Sequence, residues 1–148
     1  MDDLKAHLRV DHADDDALIE AYEAAAVSYL DGWRGIMGRC ILSQQWAVTY
    51  GEAGTYRLPL PDVLEVTVDA GTATFEADCL GALVTITEAA TVTMTCEMPE
   101  DALSTVQMAI KLLVAHWYQN REAASETRIE DAPLAFNALI GALRWVVV

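Results

Sequence analysis

From Asp14 to Arg34 the apolar positions Leu18, Tyr22, Ala25, Tyr29 and Trp33 recur at helical spacing, while Glu20, Glu23, Asp31 and Arg34 fall off that stripe. The pattern predicts a long amphipathic helix. Ahead of it, Asp2 and Asp3 precede LKAHL and predict a short helix, because carboxylates favour the positive end of a helix dipole; the turn at Val10 to Ala13 closes it. Gly32, Gly35 and Gly38 then interrupt the helical period, and ILSQQWAVTY gathers β-branched and aromatic residues suited to a strand.

Between residues 40 and 96 the period changes to two. The runs WAVTY, TYRL, VLEVTV, TATFEA, LVTIT and TVTMTC are separated by Gly, Pro, Asp or Ala pairs, which predicts a small antiparallel sheet or a pair of hairpins. In VLEVTV, Leu64, Val66 and Val68 are expected on one face and Val63, Glu65 and Thr67 on the other.

Met98, Pro99, Glu100 and Asp101 form a helix start, and the helix is expected from about Ala102 to Asn120. Leu103, Val106, Ile110, Leu113 and Trp117 make one stripe, and Met108, Leu112 and Ala115 cover much of another side. Such a helix has to be covered on two faces, the second by another subunit. Residues 121 to 132 are polar and predict a loop, after which Pro133 opens a last helix carrying Leu134, Phe136, Leu139, Ile140 and Leu143. The expected fold class is therefore α+β and mainly helical: three main helices plus a short N-terminal helix, with a small antiparallel β insert at about 40–96. With no repeat and no linker, one domain is expected over 1–148, ending in a tail at 144–148.

Charge narrows the possible partners. Asp and Glu number 23 against 9 Lys and Arg, a formal net charge of −14, which opposes broad binding to nucleic acid phosphates. Hydrophobic residues make up 53% of the chain, enough for a core and too many for disorder. Cys40, Cys79 and Cys96 show no CxxC spacing, so reduced thiols and a cytosolic protein are expected. The acidic start MDDLKAHLRVDH does not suit a signal peptide, and no apolar run reaches the roughly 18 residues a membrane span needs.

Candidate chemistry is sparse. The run DHADDDALIE collects carboxylates of the kind hard cations use, but it lacks the loop spacing, central Gly and distal Glu of a calcium hand, and Asp11 or Asp14 capping the helix accounts for it. His7 and His12 have no HExxH or Cys/His companions, so no metal or other cofactor is expected. His116 lies beside Trp117 with no nucleophile signature elsewhere, so it is read as packed, and the chain as no enzyme. A small acidic metal-binding domain or enzyme, built on Asp11, Asp14, Asp15, Asp16 and a histidine, is the rival class. Trp117, Tyr118 and Arg121 are types enriched at interface hot spots, though a helix-end core uses them equally. The tail residues Arg144, Trp145, Val146, Val147 and Val148 suit either strand addition to a neighbour or closure of the chain's own core.

Two stretches, LKAHLRVDHADDDALIEAYEAAAVSYLDGWRGIMGRCILSQQW and MAIKLLVAHWYQNREA, resemble the head-tail connector, or adaptor, proteins of long-tailed phages and of gene transfer agents. The likeness runs through Leu4 to Val10, Asp11 to Asp16, Ala17 to Trp33, Gly38 and Arg39, Gln44 and Trp46, and Ala109 to Glu122. The middle departs from it, with Thr- and Ala-rich strands and CEMPED in place of the family's aromatic, Pro-rich strands. The resemblance implies a structural subunit of a ring, taken as dodecameric, beneath the portal at the head-tail junction of a virion or phage-like particle. Its partners would be further copies of itself, the portal, and a tail or stopper protein. DNA would pass down the channel without specific binding, and the ring would be assembled in the host cytoplasm. A neighbouring head-completion or stopper role is the alternative.

Overall fold

The computed structural model describes residues 1–120 and 134–145. Its elements are α1 (Asp2–Leu8), α2 (Asp16–Leu30), β1 (Gln44–Tyr50), β2 (Gly54–Arg57), β3 (Val63–Val68), β4 (Ala73–Asp78), β5 (Gly81–Ile86), β6 (Ala90–Cys96), α3 (Glu100–Gln119) and α4 (Leu134–Leu143). The expectation of a mainly helical protein with a small β insert is overturned: among the described residues helix accounts for 39% and strand for 27%, in two antiparallel three-stranded sheets. The six apolar runs are all strands: β4 and β5 form a hairpin, while β1 and β3 both flank the distant β6 and β2 reaches past β3 and β4 to the other side of β5. The expected small antiparallel sheet or pair of hairpins is thus two three-stranded sheets, with one hairpin, β4–β5, inside the second.

The helical layer closes over Leu4 of α1, Ile19, Ala26 and Leu30 of α2, Val106, Ala109, Leu113 and Val114 of α3, and Phe136 and Ile140 of α4. Each large side chain buried there contributes roughly 1.5–3 kcal/mol. On α2 the buried line is Ile19, Tyr22, Ala26 and Leu30 rather than the predicted line from Leu18 to Trp33, a rotation of about one residue, or about 100°. The Ala-rich middle of the helix makes the two phases nearly equal in hydrophobicity, so packing against α3 chooses between them. Tyr29 and Trp33 are left 47% and 56% exposed.

In the second layer the sheets β1-β6-β3 and β2-β5-β4 enclose Leu58, Leu60, Val84, Ile86, Val92, Met94 and Cys96. Tyr50 of β1 stacks on Tyr56 of β2 with centroids 4.1 Å apart, so β1 lies over β2 and, at the opposite edge, β3 over β4. A bulge between Val63 and Glu65 resets the alternation of β3. Val63, Val66 and Val68 therefore pack inward while Leu64, expected inside, is 60% exposed. The outer faces are rich in threonine, and hydroxyls pair across strands at Thr49–Thr91 (3.2 Å) and Thr55–Thr85 (2.8 Å).

Polar ties join the two layers. Asp31, just past α2, accepts hydrogen bonds from the Ile41 amide (2.7 Å) and from Gln44 Nε2 (2.6 Å), fixing the end of the helix to the start of β1. Arg39 grips Asp62 and also donates to the Leu143 carbonyl at 3.3 Å.

Candidate assembly interface

The acidic run is spent on structure. Asp15 is the N-cap residue of α2 but makes no side-chain capping bond, and its carboxylate instead accepts the Tyr118 hydroxyl at 2.5 Å. Asp16 takes Lys5 Nζ at 2.6 Å. The expected cap from Asp11 or Asp14 is thus corrected: both stand exposed before the helix, and the run ties α1 and α3 to α2. Among the described residues no group of three or more His, Cys, Asp or Glu side chains is placed to hold a metal.

The predicted interface residues separate. Trp117 is half-buried against the helical core, its ring 6.1 Å from that of Tyr22 and tilted by 56°. Tyr118 joins the same cluster and bonds Asp15. His116 is half-buried too, with Asn120 Nδ2 donating to its carbonyl at 2.8 Å. Arg144 is exposed. Trp145 folds back on its own chain: its amide donates to the Met37 carbonyl at 2.8 Å, and its carbonyl and ring lie against Gly38 and Gly81. Both glycines have positive φ, +62° and +109°, and a Cβ would stand 3.1 and 3.2 Å from Trp145 atoms. Arg121, Val146, Val147 and Val148 lie outside the described residues.

Four titrating groups show how the surface and core are set. The Arg57 guanidinium, bonded to Asp78 at 2.9 Å, holds that carboxyl below its usual range and is itself pushed up. Burial raises the Cys40 thiol, and burial beside Cys40 pushes Cys96 up to about 12, so both are inert core thiols while Cys79 is exposed.

The surface that sequence reasoning missed lies where α2 runs into β1. Trp33, Trp46, Val48, Pro59 and Leu60 line an open apolar groove of about 360 Å³ at the β1 edge of the sandwich. A second hollow of about 200 Å³, lined by Val27, Ile41, Leu42 and Ile110, lies between α2, the α2–β1 linker and α3. Leu42 is 64% exposed beside it. Arg34 sits with its guanidinium carbon 5.9 Å from the centre of the Trp33 ring, a cation beside the groove. The signal in the sequence was the pair of tryptophans, Trp33 and Trp46, around the glycine turns.

No protein-family model matches this sequence, and no curated protein matches it either. Solved structures do share its fold. A chain from the neck of an empty gene transfer agent (GTA) particle, computed with C6 symmetry, is similar with a TM-score of 0.68 at 18% identity, covering 99% of this chain and 89% of that one. A chain of the native GTA virion gives 0.66 at 19% identity, with the same coverage. One from the native neck computed with C12 symmetry gives 0.64 at 19%, covering 97% and 89%. Nearly the whole chain thus has the fold of a component of a phage-like particle neck.

Proposed function

We propose that this protein is a head-tail connector, or adaptor: a structural ring subunit beneath the portal of a phage-like particle, joining the DNA-filled head to the tail. The observation that carries this reading is the 99% overlap of the fold with chains of a GTA neck. The six- and twelve-fold symmetry of those necks supports a ring of identical copies, dodecameric in this reading. The net charge of −14 suits a channel wall along which a polyanion slides without sticking. No reaction and no cofactor belong to this role. The tail 144–148, with Val146, Val147 and Val148 beyond the Trp145 contact, is assigned to portal attachment, and Trp117, Tyr118 and Arg121 to the neighbourhood of a subunit boundary.

The test is to add purified protein to portal-bearing, tail-less particles and image them. A ring of density under the portal that restores tail joining is expected, and removal of residues 146–148 should weaken docking. Particles left bare at saturating protein would refute the role, and a ring that forms only beneath another neck protein would make it a stopper instead.

A further inference from the structure

The two edges of the sandwich differ in shape and in sign. One edge, β1 over β2, carries the apolar groove of Trp33, Trp46 and Leu60, with Arg34 beside it. The opposite edge, β3 over β4, presents apolar side chains to solvent: the bulge turns Leu64 out to 60% exposure, Phe75 is 39% exposed, and the flanking charges are Glu65 and Glu76. Among the described residues, neither Arg34 nor these two glutamates makes an ion pair. The apolar surfaces are complementary, and so are their rims.

The register sets their heights. Gln44 of β1 and Val63 of β3 both face Cys96 of the central strand β6. Trp46 and Leu64, one or two residues further along, therefore sit at nearly the same level on opposite edges of one sheet. A copy placed edge to edge with the next thus meets it with little offset along the strands, an arrangement compatible with closure into a ring. Copies of net charge −14 repel wherever their faces meet unless the contact is poor in like charge, and this pair of edges supplies one cation against two carboxylates.

We propose that neighbouring copies join head to tail through these edges, the groove of Trp33 and Trp46 on one copy receiving Leu64 and Phe75 of the next, with Arg34 facing Glu65 or Glu76. This rests on the ring reading above and names the contact within it.

The test uses the full chain with Cys79→Ser, which leaves only the buried thiols, and adds Trp33→Cys and Leu64→Cys. On portal-bearing, tail-less particles under a mild thiol oxidant, the double variant should give a covalent ladder extending to the ring, while either single variant gives none. Separately, Arg34→Glu should weaken ring formation about tenfold, the scale of one lost interface contact, and Glu65→Arg with Glu76→Arg should restore it. All altered side chains are exposed, so unchanged melting of the free protein shows that folding is intact. If the protein docks normally but no ladder forms, or if a single variant cross-links to itself, the edge contact is wrong and the connector reading stands. If the protein forms no ring on the particles, both fall.

Discussion

Arg39 holds Asp62 through two parallel hydrogen bonds, Nε to Oδ2 at 2.7 Å and Nη2 to Oδ1 at 2.9 Å, with both side chains more than four-fifths shielded from water. A forked pair of this kind gives direction as well as attraction, and here it joins the α2–β1 linker to the β2–β3 turn. Asp62 has φ 57°, a left-handed conformation that aspartate tolerates better than most residues. Arg39→Ala strands a shielded carboxylate and should cost about 2–3 kcal/mol in urea unfolding, less than a fully buried pair because some water reaches it. Arg39→Lys keeps the charge but loses the fork and should recover only part of that loss.

Gly38→Ala should destabilise by about 1–2 kcal/mol, since a Cβ at φ +62° is strained and would press on the Trp145 carbonyl 3.1 Å away. Gly51→Ala meets nothing within 4 Å and should be close to neutral. Denaturant melts of the two variants, followed by tryptophan emission, separate the local fit from glycine loss in general. Equal costs would contradict the role given to Trp145.

Trp117→Ala should cost about 3–5 kcal/mol of monomer stability, because the ring is packed on the helical core and on Tyr22. Tyr118→Phe removes only the hydroxyl that bonds Asp15 and should cost about 1–2 kcal/mol. Thermal melting of the free protein checks both. A Trp117→Ala protein that melts normally yet forms no ring would show that the side chain serves the subunit boundary alone and adds nothing to the monomer's core.

Thiol titration should find one reactive cysteine, Cys79, in the native protein and three after unfolding. The sign at alkaline pH follows from Cys96, whose folded pKa of about 12 exceeds the ordinary value of 9.0. Its contribution is complete below pH 9 or so and is lost as pH rises toward the folded value, since only the unfolded chain ionises there. Cys96→Ala should flatten that alkaline decline. In acid the direction reverses: Asp78 is held low by Arg57, so its contribution is present above the usual carboxylate pKa and disappears as pH falls through the depressed one. Asp78→Asn should therefore flatten part of the acid limb of a stability-against-pH curve.

Individual elements were legible where one period ran unbroken, whereas the balance of helix and strand was not. The strands WAVTY and TVTMTC and the helix of Glu100–Gln119 lie where their spacing puts them. Their partners were not legible, because β1 pairs with β6 across some forty intervening residues and nothing in either run names the other. Leu64 shows a second limit, since the bulge that exposes it is set by pairing with Cys96 and Thr95 and not by the local pattern. The α2 phase failed for a third reason: the alanines at 24 to 26 leave the face to be chosen by α3. Of the candidate surface, Trp117 and Tyr118 were visible as large amphipathic residues, but their burial was not. The groove at Trp33 and Trp46 needed the turn between α2 and β1 to bring the two rings onto one edge.

The threonine ladders have a consequence for how the molecule responds to electrolyte. Cross-strand hydroxyl pairs such as Thr55–Thr85 carry no charge, so ionic strength leaves them almost untouched. The short helix α1 is anchored differently, through Lys5 to Asp16 and through Lys111 to Asp3, pairs whose acid partners reach solvent and are screened by salt. Raising sodium chloride from low to molar concentration should therefore speed amide exchange first in residues 2–8, while the sandwich keeps its protection.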